Sequence, residues 1–394
     1  MEWFWLIFLF AIGSCVGSFL NVVIWRLPRG QSIVFPGSHC PTCGQPIKWY
    51  DNIPLLSWCL LRGRCRACKV RISPRYLLIE ATTAVLVAGL YGCYYILDIR
   101  TGIGSFDESW MVYAAHAALL CGLLACSVVD IDLWVIPLEV VWCVSGLAVI
   151  LWAIHGPHPF MPTVSAVTIG ASLAALFGLI IAIMLMRRGL IQPSFIDASD
   201  KPFANASVKD KGQETHAVAI TSAHGVNPRK EVMWEVAFLA PSIALAGGFV
   251  LMMKLSPGAR EAWEGLFDVG GAHPKLAGHL VAAGSATFGY LIGALWVWGI
   301  RILGTLLFGK EAMGMGDVHI LAAVGAVCGW IVPSAAFFIA PFLGLLWALH
   351  LWVGKRQGEL PYGPWLALGS LVVMLSYDAL RHLFLQYIAP PALL

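Results

Sequence analysis

Two aspartates and four cysteines carry the chemistry that can be read from this chain. Asp317 closes the string Gly314-Met315-Gly316-Asp317 and opens an apolar run. Asp130 closes the apolar run MVYAAHAALLCGLLACSVV and begins DIDLWVIP. A carboxylate at the edge of a hydrocarbon-crossing segment is costly, which makes it a functional candidate. Two such groups at one depth on separate helices are what an aspartic protease requires. Like charges at close range cannot both ionise, so the pair shares a proton; one carboxylate activates water while the other protonates or polarises the scissile carbonyl. A lone aspartate at a helix start is more simply a cap or an interfacial residue, so the pairing and the glycines carry the argument. Gly314 and Gly316 are expected to let backbone or substrate come close and to permit conformations closed to residues with a Cβ. Asp132 competes with Asp130, but two positions along a helix point to nearly opposite sides. Only one of them can face Asp317.

Cys40-Pro-Thr-Cys43 and Cys65-Arg-Ala-Cys68 repeat a C-x2-C knuckle across 21 intervening residues. Four thiolates in this pattern are the ligand set of a tetrahedral Zn²⁺ site; a redox pair or unligated thiols are the rival readings. Pro41 and Gly44 favour a tight turn in the first knuckle, and Arg64, Arg66 and Lys69 favour thiolates in the second. Four protein ligands leave no open position, so the zinc is expected to be structural. A module of about 50 residues is too small to build much of a core and gains most from such a staple. His39 and Cys59 are substitute ligands. Cys15, Cys93, Cys121, Cys126, Cys143 and Cys328 read as small buried apolar residues.

The elements that must position these groups are membrane helices. Of 394 residues 59% are hydrophobic and only 12% charged, against about 25% charged in a soluble domain. Ten segments are long or apolar enough to count, near 3–24, 76–97, 110–129, 138–155, 165–186, 233–253, 278–300, 318–331, 333–353 and 364–386. The seventh could extend to about 308, the eighth is short, and 318–353 could be one helix interrupted near Pro333. The fold class is therefore an all-α polytopic membrane protein of about 8–10 transmembrane helices with a small cytoplasmic zinc-binding domain after the first. Seventeen Trp fit anchoring at bilayer edges. The first segment lacks a basic leader and has too long an apolar run for a signal peptide, so it reads as a retained helix. The block 25–75 holds nine Lys/Arg against one acid, Asp51, which places it on the cytoplasmic side and the N-terminus outside. Counting helices forward puts Asp130 and Asp317 at cytoplasmic helix ends. The chain divides into a first helix (1–25), a four-cysteine zinc domain (26–75), helices with the first aspartate (76–188), a polar insert (189–232) and helices with the second aspartate (233–394). The insert, mixed in charge and without period, reads as flexible. Apart from the two aspartates, the acids are assigned mostly to loops. Glu80 is an exception about one turn into the second segment, expected to pair with Arg75 or Arg26 or to serve the site. A net charge of +3 gives no reason to expect a nucleic-acid partner, and no dinucleotide fingerprint or P-loop is present.

Taken together these residues resemble the type IV prepilin peptidases, the GxGD aspartic proteases of the bacterial inner membrane. GSFLNVVIWRLP (Gly17 to Pro28), the two Cys pairs, SPRYLLIE (Ser73 to Glu80), DIDLWVIP (Asp130 to Pro137), EAMGMGD (Glu311 to Asp317) and LPYGPWLALG (Leu360 to Gly369) match the family's motifs in order. In the first aspartate motif the first Asp is followed seven residues later by Pro, which selects Asp130 over Asp132. The resemblance implies cleavage of the short basic leader of prepilins or pseudopilins at the cytoplasmic membrane face, as in type IV pili and type II secretion. In bifunctional members the new N-terminus is then methylated with S-adenosylmethionine. Two departures stand out. The aspartates are further apart in sequence than is usual for the family. His319 stands where the family usually has Lys, so a fixed positive charge is missing beside the pair, and His319 joins Glu80 as a candidate for a role in the site. The alternatives are a cleavage-only peptidase, a proton relay or transporter using the two carboxylates, and a non-catalytic membrane scaffold for pilus or secretion assembly.

Overall fold

A computed structural model describes residues 2–194, 228–353 and 361–383. Among them there is no β-strand, only isolated bridges. Twelve α-helices follow in order: α1 (Glu2–Arg26), α2 (Leu56–Leu60), α3 (Pro74–Tyr91), α4 (Phe106–Leu133), α5 (Leu138–His155), α6 (Ala166–Arg187), α7 (Pro228–Leu255), α8 (Pro257–Gly265), α9 (Pro274–Phe308), α10 (Met315–Cys328), α11 (Ile331–Val353) and α12 (Gly363–Leu383). Nine of the described helices are long and apolar enough to cross a membrane. The remaining expected segment, the eighth (318–331), is α10, which has only 14 residues. The break between α10 and α11 falls at Gly329, at φ +76°, rather than at Pro333. Of the polar insert expected over 189–232, residues 195–227 lie outside the described residues, and 228–232 already belong to α7.

The chain forms two compact units, residues 1–144 with 338–394 and residues 145–337. In the first, α1 lies against α3 through Gly13 and Gly17. A Cβ on Gly13 would sit 2.8 Å from Ala84 Cα, and one on Gly17 would sit 2.7 Å from Glu80 Cα. Between apolar helices in lipid, close van der Waals contact replaces the hydrophobic effect as the force holding them, and small residues four apart permit it. Asn21 Nδ2 donates to the Tyr76 carbonyl at 3.1 Å, and Tyr113 Oη donates to the Val87 carbonyl at 2.8 Å, tying α1 and α4 to α3. Ser73 starts α3 by accepting the Arg75 N–H, with Pro74 at the first helical position.

In the second unit the same device recurs. Gly178 of α6 faces the backbone of α7 at its internal proline, where a Cβ would come within 2.4 Å of Ser242 Cα. Gly289 and Gly293 of α9 meet Gly325 and Leu321 of α10; a Cβ on Gly293 would fall 2.0 Å from the Leu321 carbonyl oxygen. No side chain fits at that distance, so these two helices touch backbone to backbone. Near the end of α10, the Val327 carbonyl accepts the indole N–H of the fully buried Trp152 at 3.1 Å.

Candidate functional site

The four cysteines come together. One Sγ from each of Cys40, Cys43, Cys65 and Cys68 lies within 4.8 Å of all the others, and Cys40 Sγ is 3.8 Å from Cys68 Sγ. Zn–S bonds of about 2.3 Å arranged tetrahedrally require sulfurs about 3.8 Å apart, so the cluster has the size a zinc ion needs. The knuckles are copies of one another. Cys40 N–H donates to the Gln45 carbonyl and Gly44 N–H to Cys40; likewise Cys65 N–H donates to Val70 and Lys69 N–H to Cys65. Each is closed by a bridge seven residues wide, His39 to Pro46 and Arg64 to Arg71. The residue after each second cysteine is left-handed, Gly44 at φ +69° and Lys69 at φ +58°. Backbone N–H groups of Cys43 and Thr42 pull the Cys40 thiol down to about 6. Cys68, despite an N–H from Val70, is pushed up to about 11 by burial and by its thiol neighbours Cys43, Cys65 and Cys40. Thiols that compete for protons in this way are resolved by a cation that takes all four as thiolates. The two candidate substitutes lie outside the four-sulfur cluster: His39 Nδ1 is 2.9 Å from the Gly37 carbonyl, and Cys59 is exposed. Asp51 and Arg66 clamp the two halves of the module, Arg66 Nη2 to Asp51 Oδ1 at 2.6 Å, and this contact holds the Asp51 carboxyl below the usual carboxylate range.

Asp130 lies in the last turn of α4, 7% exposed. Its Oδ2 accepts the N–H of Gly363, the first residue of α12, at 3.0 Å. Trp134 ends α4 in the left-handed conformation with its N–H on the Asp130 carbonyl. Asp132 has a different environment. It is surface-exposed and paired with Arg75. The expectation that Glu80 pairs with Arg75 or Arg26 is therefore corrected: Arg75 is engaged by Asp132, and Arg26 donates to the Ser32 carbonyl. Glu80 instead accepts the backbone N–H of Leu55 at 2.8 Å. Leu55 sits at φ +61°, ψ −53°, and Leu56 N–H reaches back to the Pro54 carbonyl at 2.6 Å, which is the rarer, positive-φ γ-turn.

Asp317 belongs to the second unit, also 7% exposed, in the first turn of α10. Gly314 is the N-cap at φ −69°, ψ 146°, a conformation any residue adopts. The expected conformational freedom is thus not what Gly314 supplies. A Cβ there would stand 3.6 Å from Asp317 Oδ2, so the bare glycine keeps one flank of that carboxylate open. Gly316 lies within the helix, and His319 is half-buried one half-turn beyond Asp317.

Sequence reasoning missed the groups that hold this segment. Arg301 lies just past the apolar run 278–300 and carries no signal of its own there; α9 runs on to Phe308, as far as that segment could extend, and buries it. Its Nε donates to Glu235 Oε1 at 2.6 Å, and its Nη1 donates to the Met313 carbonyl at 2.5 Å and to Glu311. Glu235 is 2% exposed inside α7, so a further acid sits within a helix where sequence singled out only the two aspartates and Glu80. An arginine beyond the apolar run and a glutamate seven residues into α7 leave hydropathy almost unchanged, and only their pairing marks them.

Residues 11–94 match the family model described as the bacterial peptidase A24 N-terminal domain, which spans α1, the four-cysteine module and α3. A prepilin leader peptidase/N-methyltransferase of Myxococcus xanthus is 47% identical over 134 residues, 34% of this chain and 36% of that one. A type 4 prepilin-like proteins leader peptide-processing enzyme of Escherichia coli is 37% identical over 182 residues, 40% of this chain and 61% of its own. These two matches thus span roughly a third and three-fifths of those relatives. A prepilin leader peptidase/N-methyltransferase of Stutzerimonas stutzeri aligns over 95% of this chain and 92% of its own length at 25% identity. Over these stretches the chain is similar to prepilin leader peptidases. No solved structure matches it. The four-cysteine cluster, Glu80 and the α1–α3 glycine contact all lie within the stretch that the A24 N-terminal domain model covers.

Proposed function

We propose that this chain is an aspartic endopeptidase that removes the basic leader of prepilin-like proteins at the cytoplasmic face of the bacterial inner membrane. It then methylates the new N-terminus using S-adenosylmethionine as methyl donor. Asp130 and Asp317 supply the two carboxylates. The observation that carries the reading is that each sits in a motif matching the family and is buried at a helix end, whereas the competing Asp132 is exposed and paired with Arg75. In this mechanism the pair shares one proton. The ionised member draws a proton from water as it attacks the scissile carbonyl, and the protonated member gives its proton to the carbonyl oxygen. The Gly363 N–H on Asp130 Oδ2 stabilises negative charge on that oxygen. The substrate's leader is basic and its mature segment an apolar helix, so the bond between them lies at the interface, where the helix must unwind to expose it. Zn²⁺, held by Cys40, Cys43, Cys65 and Cys68, fixes the fold of the module between α1 and α3 and takes no part in cleavage.

The test is cleavage of a prepilin with a basic leader in membranes, by wild type and by Asp130→Asn, Asp132→Asn and Asp317→Asn, with mass spectrometry of the product. The expected result is cleavage by wild type and the 132 variant only, with the product carrying the added mass of one methyl group. Cleavage by both the 130 and 317 variants would end the aspartic mechanism. Cleavage without added mass would leave a peptidase alone.

A further inference from the structure

The segment that delivers Asp317 is irregular between the end of α9 and the start of α10, yet it is held at several points. Gly309, left-handed at φ +69°, stops α9 with its N–H on the Thr305 carbonyl. The chain then folds back along the last turns of α9. Gly304 has no side chain there, and a Cβ on it would lie 2.5 Å from Ala312 Cβ. One turn earlier Arg301, 3% exposed, binds Glu311 and the Met313 carbonyl, and it binds Glu235 of α7. One planar guanidinium thus joins α9, α7 and the residue directly before Gly314. Lysine offers a point charge without this fork and cannot reproduce the three directions.

We propose that Arg301 is a positioning residue for peptide cleavage: by tying Glu311 and the Met313 carbonyl to Glu235, it fixes the approach of Gly314–Asp317 and so the aim of the Asp317 carboxylate. This rests on reading Asp317 as one of the two reacting carboxylates. The simpler role, neutralising a buried Glu235, makes a different prediction. Replacing a buried ion pair by apolar residues of similar size is often neutral or stabilising. The double variant Glu235→Met/Arg301→Met therefore separates fold from aim, since it removes the buried charges together but leaves Glu311 and Met313 without their anchor.

The expected result, for the full chain in detergent micelles, is an unfolding temperature no lower than wild type. The kcat for prepilin cleavage should fall about a hundredfold, the scale of an ångström's misplacement, with KM within about twofold. Arg301→Lys should lose kcat to a smaller extent. Glu311→Gln, which leaves the Arg301–Glu235 pair intact, should lower kcat as well, and it carries the test should the double variant not fold. Wild-type kcat in these variants, or a loss confined to KM, would overturn the proposal. Asp317→Asn is assayed beside them: if it cleaves like wild type, the aspartic reading fails. Hydrogen exchange over 311–317 then still decides the tether, because faster exchange in the double variant supports it and unchanged exchange removes it.

Discussion

Glu80→Ala tests whether a membrane-helix carboxylate governs how long the four-cysteine module keeps its metal. Leu55 lies between the two knuckles and is held in a γ-turn at φ +61°, a conformation that costs about 1–3 kcal/mol. Its N–H has the Glu80 carboxylate as partner at 2.8 Å. A hydrogen bond to a charged group contributes about 1.5–3 kcal/mol, so removing it should favour opening of the turn by that amount. At about 1.4 kcal/mol per decade, zinc should leave roughly ten to a hundred times faster. Glu80→Gln keeps a neutral acceptor of about half the strength and should fall between. Leu55→Gly in the Glu80→Ala background should recover about fivefold, because glycine visits the mirror-image conformation freely. The assay is transfer of zinc from the purified, detergent-solubilised chain to a chromogenic chelator, with Cys43→Ser as the fast limit. Wild-type kinetics for Glu80→Ala beside rapid loss from Cys43→Ser would refute the coupling.

Lys69 copies the left-handed role of Gly44 with a side chain attached, so Lys69→Gly should slow zinc transfer by removing a cost of about 1 kcal/mol. Asp51 is held low by the Arg66 hydrogen bonds; a depressed carboxyl contributes stability above its unfolded value near about 3.9 and loses it only as pH falls through the folded value. Asp51→Asn should therefore speed zinc transfer by one constant factor between about pH 6 and 8, and a factor that varies across that window would contradict it. Gly293→Ala places a Cβ 2.0 Å from the Leu321 carbonyl oxygen and should destabilise by about 1–3 kcal/mol or more, read as a lower unfolding temperature in detergent. Gly299→Ala, with open space around it, is the matched control and should be silent.

Much of the chain was legible because lipid and metal impose strict patterns. A helix that crosses hydrocarbon must be apolar over its length, so most span ends show in the sequence to within a few residues, the polar-flanked start of α7 and end of α9 apart, and four cysteines at knuckle spacing leave little else to build. What hydropathy could not show were bonds made to backbone. Glu80 was recognised as needing a partner, but its partner is an amide N–H, which every residue carries and none advertises. Leu55 and Lys69 occupy positive φ where turn chemistry would call for glycine, so neither turn was visible. The Arg301–Glu235 pair was hidden for another reason, since opposite charges on α9 and α7 cancel only once the helices have met.

The shortness of α10 bears on the membrane itself. Fourteen residues span about 21 Å, against about 30 Å of hydrocarbon. On the proposed placement of Asp317 at the interface, the helix ends while still at apolar depth, where open carbonyls have no water to bond. The Trp152 indole on Val327 answers that need within the protein. A span that falls short is relieved by thin bilayers and strained by thick ones. Acyl-chain length becomes a control on this protein: short-chain lipids should let the Asp317 end rest at the surface, and long-chain lipids should drag it inward.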